Sequence, residues 1–142
     1  MAFASWFLGS IDRATLFAES RSGVFLPHQF DNRANIEAHY HGTGPEIVAQ
    51  MAERDVAPAA FVAGVGTGET VMGVGRHLRE RMDESVAIHP LGPANSPTMR
   101  TGKKVGNHRI QGISDEFVPS ILDLEWLDEI VDVWDGDAIL MA

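Results

Sequence analysis

Three glycines spaced by single residues and followed by a threonine mark the place where this chain could anchor chemistry. The stretch Phe61-Val62-Ala63-Gly64-Val65-Gly66-Thr67-Gly68-Glu69-Thr70 runs into Val71-Met72-Gly73-Val74-Gly75-Arg76-His77-Leu78. An apolar run, a glycine-rich turn and a helical pattern follow in the order by which a strand delivers backbone N–H groups to a phosphate. Glycine lets the backbone approach an anion closely, and the helix N-terminus behind it adds partial positive charge. Glu69 is the discordant member, an anion where an anion would bind. Two unit charges ~4 Å apart at an effective dielectric of ~20 interact by about 4 kcal/mol. Glu69 facing a phosphate would therefore oppose it, whereas an acid turned outward at a helix start is locally favourable.

Other chemistry is thinner. The sequence has no cysteine, which removes disulfides, thiolate catalysis and cysteine-ligated zinc. His39-Tyr40-His41 reads as an extended segment with both imidazoles on one side, but with no third ligand in view no metal site is assigned. His39 reads instead as a packing or loop hydrogen-bonding residue. Asp128 and Glu129 read as surface acids, and Trp126, Trp134 and Phe117 as core or seam residues. Eleven Lys and Arg against twenty Asp and Glu leave a net charge of −9, and the basic pair Lys103-Lys104 is isolated. Such a balance argues against nucleic acid and anionic membrane as partners. Nine acidic and no basic residues lie between Asp115 and the end, read mainly as a solvated face. The apolar start Met1-Ala2-Phe3-Ala4-Ser5-Trp6-Phe7-Leu8 lacks the positive residues of a secretory leader and is too short to span a bilayer.

The elements that would hold the glycine loop read as one α/β domain of 142 residues. Ile11–Glu19 is a short helix, and a turn-rich stretch follows from Ser22 to Asn32. Gly44-Pro45-Glu46 opens a helix to about Arg54, with Pro near the first helical position. Ala59–Val65 is a buried strand and Thr70–Met82 a helix with Val71, Val74, Leu78 and Met82 at helical spacing. Gly73 and Gly75 let that helix lie close to a sheet. Val86–His89 completes a β-α-β unit, which implies a parallel sheet. Residues 92–120 read as a long loop region, Glu129–Trp134 as a third strand, and Asp135 as the cap of a short last helix.

Three templates test the loop. The nucleotide P-loop needs a lysine after its last glycine, and none is there. The dinucleotide pattern G-x-G-x-x-G begins at Gly64 and Gly66 but meets Glu69 at its third glycine, and no ribose-binding acid ends the next strand. The loop Gly-Thr-Gly-Gly-Thr, which holds the phosphate of pyridoxal phosphate, matches at Gly66, Thr67, Gly68 and Thr70. Here the chain resembles the cysteine synthases (O-acetylserine sulfhydrylases) and the related cystathionine β-synthases. The resemblance is colinear from about residue 24 to 139. It includes Phe25-Leu26-Pro27-His28-Gln29-Phe30, Asn32–Tyr40, Thr43-Gly44-Pro45-Glu46-Ile47, the glycine loop, Pro93–Pro97, His108–Ile113 and Phe117-Val118-Pro119. Residues 1–23 match poorly.

The resemblance implies an α/β fold, a parallel sheet with flanking helices forming part of the large domain of a tryptophan synthase β-like pyridoxal phosphate enzyme. It implies elimination of a leaving group from an O-acetylserine-type substrate and addition of a nucleophile such as sulfide, with a lysine Schiff base to the cofactor. Gly66, Thr67, Gly68 and Thr70 would grip the cofactor phosphate, Gly112 would line the cofactor pocket, and Gln29 would face the substrate carboxylate. The chain corresponds to the middle to C-terminal portion of such an enzyme. Neither Lys103 nor Lys104 matches the Schiff-base lysine, so no catalytic residue is assigned and the chain alone is expected to be inactive. Glu69 replaces a glycine of the pattern, Gly92 a glutamate, and Ser114-Asp115-Glu116 a glycine-rich run. The alternative is a catalytically dead relative acting as a binding or regulatory module, with Glu69 filling the anion site. The resemblance further implies a cytoplasmic protein and a homodimer or partner chain over the exposed sheet edges.

Overall fold

The computed structural model describes residues 6–113 and 116–142. The apolar start through Ser5 and the Ser114-Asp115 replacement lie outside them. Among the described residues three parallel strands, in the order β1-β2-β3, form one sheet: β1 (Ala60–Gly64), β2 (Ala87–Pro93) and β3 (Val131–Val133). The helices are α1 (Trp6–Glu19), α2 (Ala34–Ala38), α3 (Gly44–Ala52), α4 (Glu69–Arg81), α5 (Thr98–Thr101) and α6 (Asp135–Met141). The parallel α/β arrangement is the one expected from the β-α-β reading. β2 continues beyond His89 through Pro90. Ala87 donates to Ala59 and Leu91 accepts from Val65, so the odd residues of β2 serve β1. Pro90 faces the other neighbour, one residue before β3 begins opposite Leu91, where its missing N–H is not needed.

α4 lies at the centre. Val71, Val74 and Leu78 are almost fully buried, with Val65, Val86, Ile88, Leu122 and Leu127 in the same core. Its two interior glycines serve different layers, because residues two apart on a helix point nearly opposite ways. Gly75 lies against the sheet, where an added Cβ would stand 2.7 Å from Ile88 Cγ2. Gly73 does not face the sheet. A Cβ there would meet Ile36 O at 2.5 Å and His39 Cβ at 2.6 Å, so this glycine admits the backbone of a helical layer instead.

That layer departs from the sequence reading. The helix does not open at Gly44; helical backbone runs from Ala34 to Ala52, interrupted by a π-helical turn at His39–Thr43. Gly44 N–H bonds His39 O, the i→i−5 connection of a wide turn. Pro45 is the physical reason. In a continuous α-helix its ring would collide with the carbonyl four residues earlier, at His41, and the wider turn relieves that contact. His39 and His41 consequently do not share a side. His39 turns inward to Thr43, while His41 is exposed and lies 3.4 Å from Glu37.

The acidic C-terminal part is less solvated than its composition suggested. Arg79 donates to Val86 O, Trp126 O and, at 2.6 Å, to Asp128, and its guanidinium covers the Trp126 ring. Asp128 also accepts from Ile88 N–H, so it ties the sheet to α4 rather than standing free on the surface. Arg100 pairs with Asp132. Asp135 does not cap α6: Trp134 is the N-cap residue, and the Asp135 carboxylate accepts from Arg109 N–H.

Candidate functional site

The strand-loop-helix unit sets the site. Val65 N–H is the last of the β1 side to enter the ladder, bonding Leu91 O, and α4 begins at Glu69. Between them Gly68 takes φ +92°, a left-handed conformation that a side chain would strain, and Leu122 packs beneath it. Among the described residues, no protein group accepts from the N–H groups of Gly66, Thr67, Gly68, Glu69 or Thr70. Five successive donors at the head of a thirteen-residue helix make a nest of the kind that can hold an anion. A Cβ at Gly66 would collide with Gly112 O, so the loop at 112 closes over the first glycine with no room to spare.

A second shell of side chains braces Thr70. His39 places Nδ1 2.9 Å from Thr43 Oγ1 and Nε2 3.4 Å from Thr70 Oγ1. Glu69 folds toward the same imidazole, with Oε1 4.0 Å from Nε2. Its carboxylate accepts from none of the loop N–H groups described, and Oε2 is buried without a partner. Glu69 therefore does not fill the nest with its own charge. Beside this group, Arg76 bonds Glu37 at 2.8 Å, which holds the Glu37 carboxyl below its ordinary range and the guanidinium above its own.

The structure brings Gly66, Thr67, Gly68 and Thr70 into one cradle with Gly112 against it. Gln29 is placed elsewhere: it is exposed and lines a cavity of about 280 Å³ with Ser10, Ile11 and Ala14 of α1. Its segment is tied to the next loop, since Ser120 Oγ donates to Phe30 O and Phe30 packs edge-on against Phe117. No described contact joins Gln29 to the glycine loop. The described bonds of the two lysines are to another segment: Lys103 bridges to Phe117 and Lys104 N–H bonds Glu116 O. Thr43 and Leu122 are members that sequence reasoning missed. The spacing His39-x-x-x-Thr43 is the only signal for the first, and it is legible only once that segment is known to be helical.

A parallel α/β sheet whose first strand empties into a glycine loop at a helix head is an arrangement suited to an anion such as phosphate. The chain belongs to the family described as pyridoxal-phosphate dependent enzyme, which it matches over residues 7–142. It is 41% identical over 130 residues to a probable cysteine synthase of Bacillus subtilis, covering 92% of this chain and 41% of that protein. Against cysteine synthase B of Campylobacter jejuni it is 40% identical over 135 residues, covering 94% of this chain and 43% of that one. Among solved structures, a hydrogen sulfide-producing enzyme of Fusobacterium nucleatum superposes with a TM-score of 0.90 at 52% identity, over 96% of this chain and 40% of the other. The chain thus spans about two-fifths of the length of the relatives it matches. The family's cofactor is pyridoxal phosphate, and the loop offers what a phosphate needs: N–H groups without a protein acceptor and a left-handed glycine at the head of a helix. Among the described residues no helix is long and apolar enough to cross a membrane.

Proposed function

We propose that these 142 residues form a single part of the large domain of a cysteine synthase-like enzyme, the part that holds the cofactor phosphate during β-replacement on an O-acetylserine-type amino acid. The nest at the head of α4 carries this reading, because its unpaired N–H groups have no structural use within the described residues. Pyridoxal phosphate, when bound, supplies the electron sink for chemistry at the amino-acid α- and β-carbons. The N–H groups from Gly66 to Thr70, with the Thr67 and Thr70 hydroxyls, grip the phosphate. Gly112 lines the pocket above Gly66, and Gln29 faces the substrate carboxylate. Neither Lys103 nor Lys104 matches the family's Schiff-base lysine, so the 142 residues alone turn over no substrate. A cytoplasmic setting, small amino-acid substrates and a homodimer or partner chain along the sheet edges complete the proposal. A second reading, production of hydrogen sulfide, is favoured by the 52% identity to the Fusobacterium enzyme.

Equilibrium dialysis of the chain with pyridoxal phosphate and with phosphate-free pyridoxal tests the central point. Retention of the first and not the second is expected, weakened about tenfold by Thr70→Val, the size of one hydrogen bond to a charged group. Equal retention of both compounds would overturn the phosphate assignment.

A further inference from the structure

We propose that Glu69 and His39 make anion binding at the glycine loop depend on a proton, which His39 carries. This rests on the phosphate reading of the loop. His39 Nε2 stands between Thr70 Oγ1 at 3.4 Å and Glu69 Oε1 at 4.0 Å, while Nδ1 meets Thr43 Oγ1 at 2.9 Å. Both side chains are largely enclosed, His39 28% and Glu69 23% exposed, so solvent screens the pair only in part. Glu69 follows the last loop glycine directly, and its Oε2 has no hydrogen-bond donor. With a neutral imidazole the carboxylate charge is uncompensated and acts on any anion in the nest. Where Nδ1 holds the ring's proton, Nε2 also accepts the Thr70 hydroxyl proton and withholds it from the anion. An imidazolium reverses both effects. Both ring nitrogens then donate, Glu69 gains an opposite charge, and Thr70 Oγ1 accepts from Nε2–H and turns its own proton to the anion.

Other charged groups on the packed elements are engaged away from this pair. Glu37 pairs with Arg76 and His41, Glu80 accepts from Tyr40 OH at 2.5 Å, and His77 packs edge-on against Tyr40. On α3, Glu46 is exposed, and in the loop beneath Gly68, Asp123 accepts from the Glu125 and Trp126 N–H groups. Histidine is the side-chain type that changes charge near neutral pH, and His39 is the histidine in contact with both Glu69 and Thr70. The loop takes a dianionic phosphate monoester more tightly on the acid side of that range.

Sulfate is the probe, because it stays a dianion where phosphate itself titrates. Its affinity for the chain is read from the Gly66–Thr70 amide NMR shifts between about pH 5.5 and about pH 8.5, the span over which histidine changes charge. The dissociation constant should rise about tenfold with pH, the scale of one charge-assisted hydrogen bond. Glu69→Gln should bind more tightly than the unaltered chain at high pH and show a shallower slope, and His39→Gln should bind weakly with a flat profile. A flat profile in the unaltered chain, or the full slope persisting in Glu69→Gln, overturns the inference while leaving the phosphate loop intact. No loop shift with sulfate in any variant at any pH overturns the loop reading, and the inference with it.

Discussion

Replacing Gly73 by alanine tests how closely α4 and the π-helical turn must approach. A Cβ at this position would lie 2.5 Å from Ile36 O, 2.6 Å from His39 Cβ and 3.0 Å from Tyr40 N. Relaxed contacts between carbons fall near 3.5–4.0 Å, roughly 1 Å further out. Two of the three obstacles are main-chain atoms, which no rotamer change can move, so the helical layer itself must retreat. Overpacking of this kind costs about 1–3 kcal/mol, while alanine in a helix interior returns about 1 kcal/mol of propensity. These terms leave a range of about 0–2 kcal/mol, and because the main-chain contacts cannot yield, Gly73→Ala should fall at its upper end, a loss of about 2 kcal/mol. Gly75→Ala is the internal control, since it has the same propensity gain but meets the side chains of Ile88 and Trp126 at 2.7–3.4 Å. Side chains can give way, so the control should lose less. Urea denaturation followed by tryptophan fluorescence reads both, with a lowered midpoint at constant slope as the signature. Gly73→Ala as stable as the unaltered chain, or more stable than Gly75→Ala, would refute the close approach.

Arg79→Lys should lower stability by about 2 kcal/mol, because one ammonium cannot replace a planar fork bonded to Val86 O, Trp126 O and Asp128 together. A change under about 0.5 kcal/mol in urea denaturation would show the fork to be an ordinary surface pair. For Glu37 the folded carboxyl sits below its ordinary range, chiefly through its hydrogen bond from Arg76. Its contribution is therefore present above the unfolded value and lost as pH falls through the folded one. Glu37→Gln should be less stable than the unaltered chain at neutral pH and equal to it well below about pH 4, as read from the denaturation midpoint against pH.

The strand-loop-helix-strand unit was legible because its signals are local. A bounded apolar run, two glycines and a 3.6-residue period placed β1, the loop and α4 to within a residue at most ends. Val131 and Val133 likewise announced β3, although pairing covers only their immediate span. The segment from Ala34 to Thr43 was not read as helix, because its histidines, glycine and asparagine carry little helical preference and Pro45 resembles a start. What holds it helical is tertiary: Ile36 and Tyr40 bury themselves against a face of α4 emptied by Gly73. Asp128 was misread for the complementary reason. It is 41% exposed by its side chain, yet its value lies in Ile88 N–H and Arg79, partners forty and forty-nine residues away. Composition near Asp128 carries no trace of either.

The same logic locates what controls the candidate site outside the glycine loop. Pro45 disallows a continuous α-helix, and the π-helical turn that results carries His39 and Tyr40 onto α4. Gly73 lets them approach until the imidazole reaches Thr70 Oγ1 one turn earlier on that helix. Thr43, also in the wide turn, fixes the other ring nitrogen. On the proposed phosphate reading, Glu69 is tolerated beside the loop because a different segment brings the His39 imidazole to it. On that reading, a glutamate at this position without that turn would leave a half-buried charge with no imidazole beside it, opposing an anion at the loop.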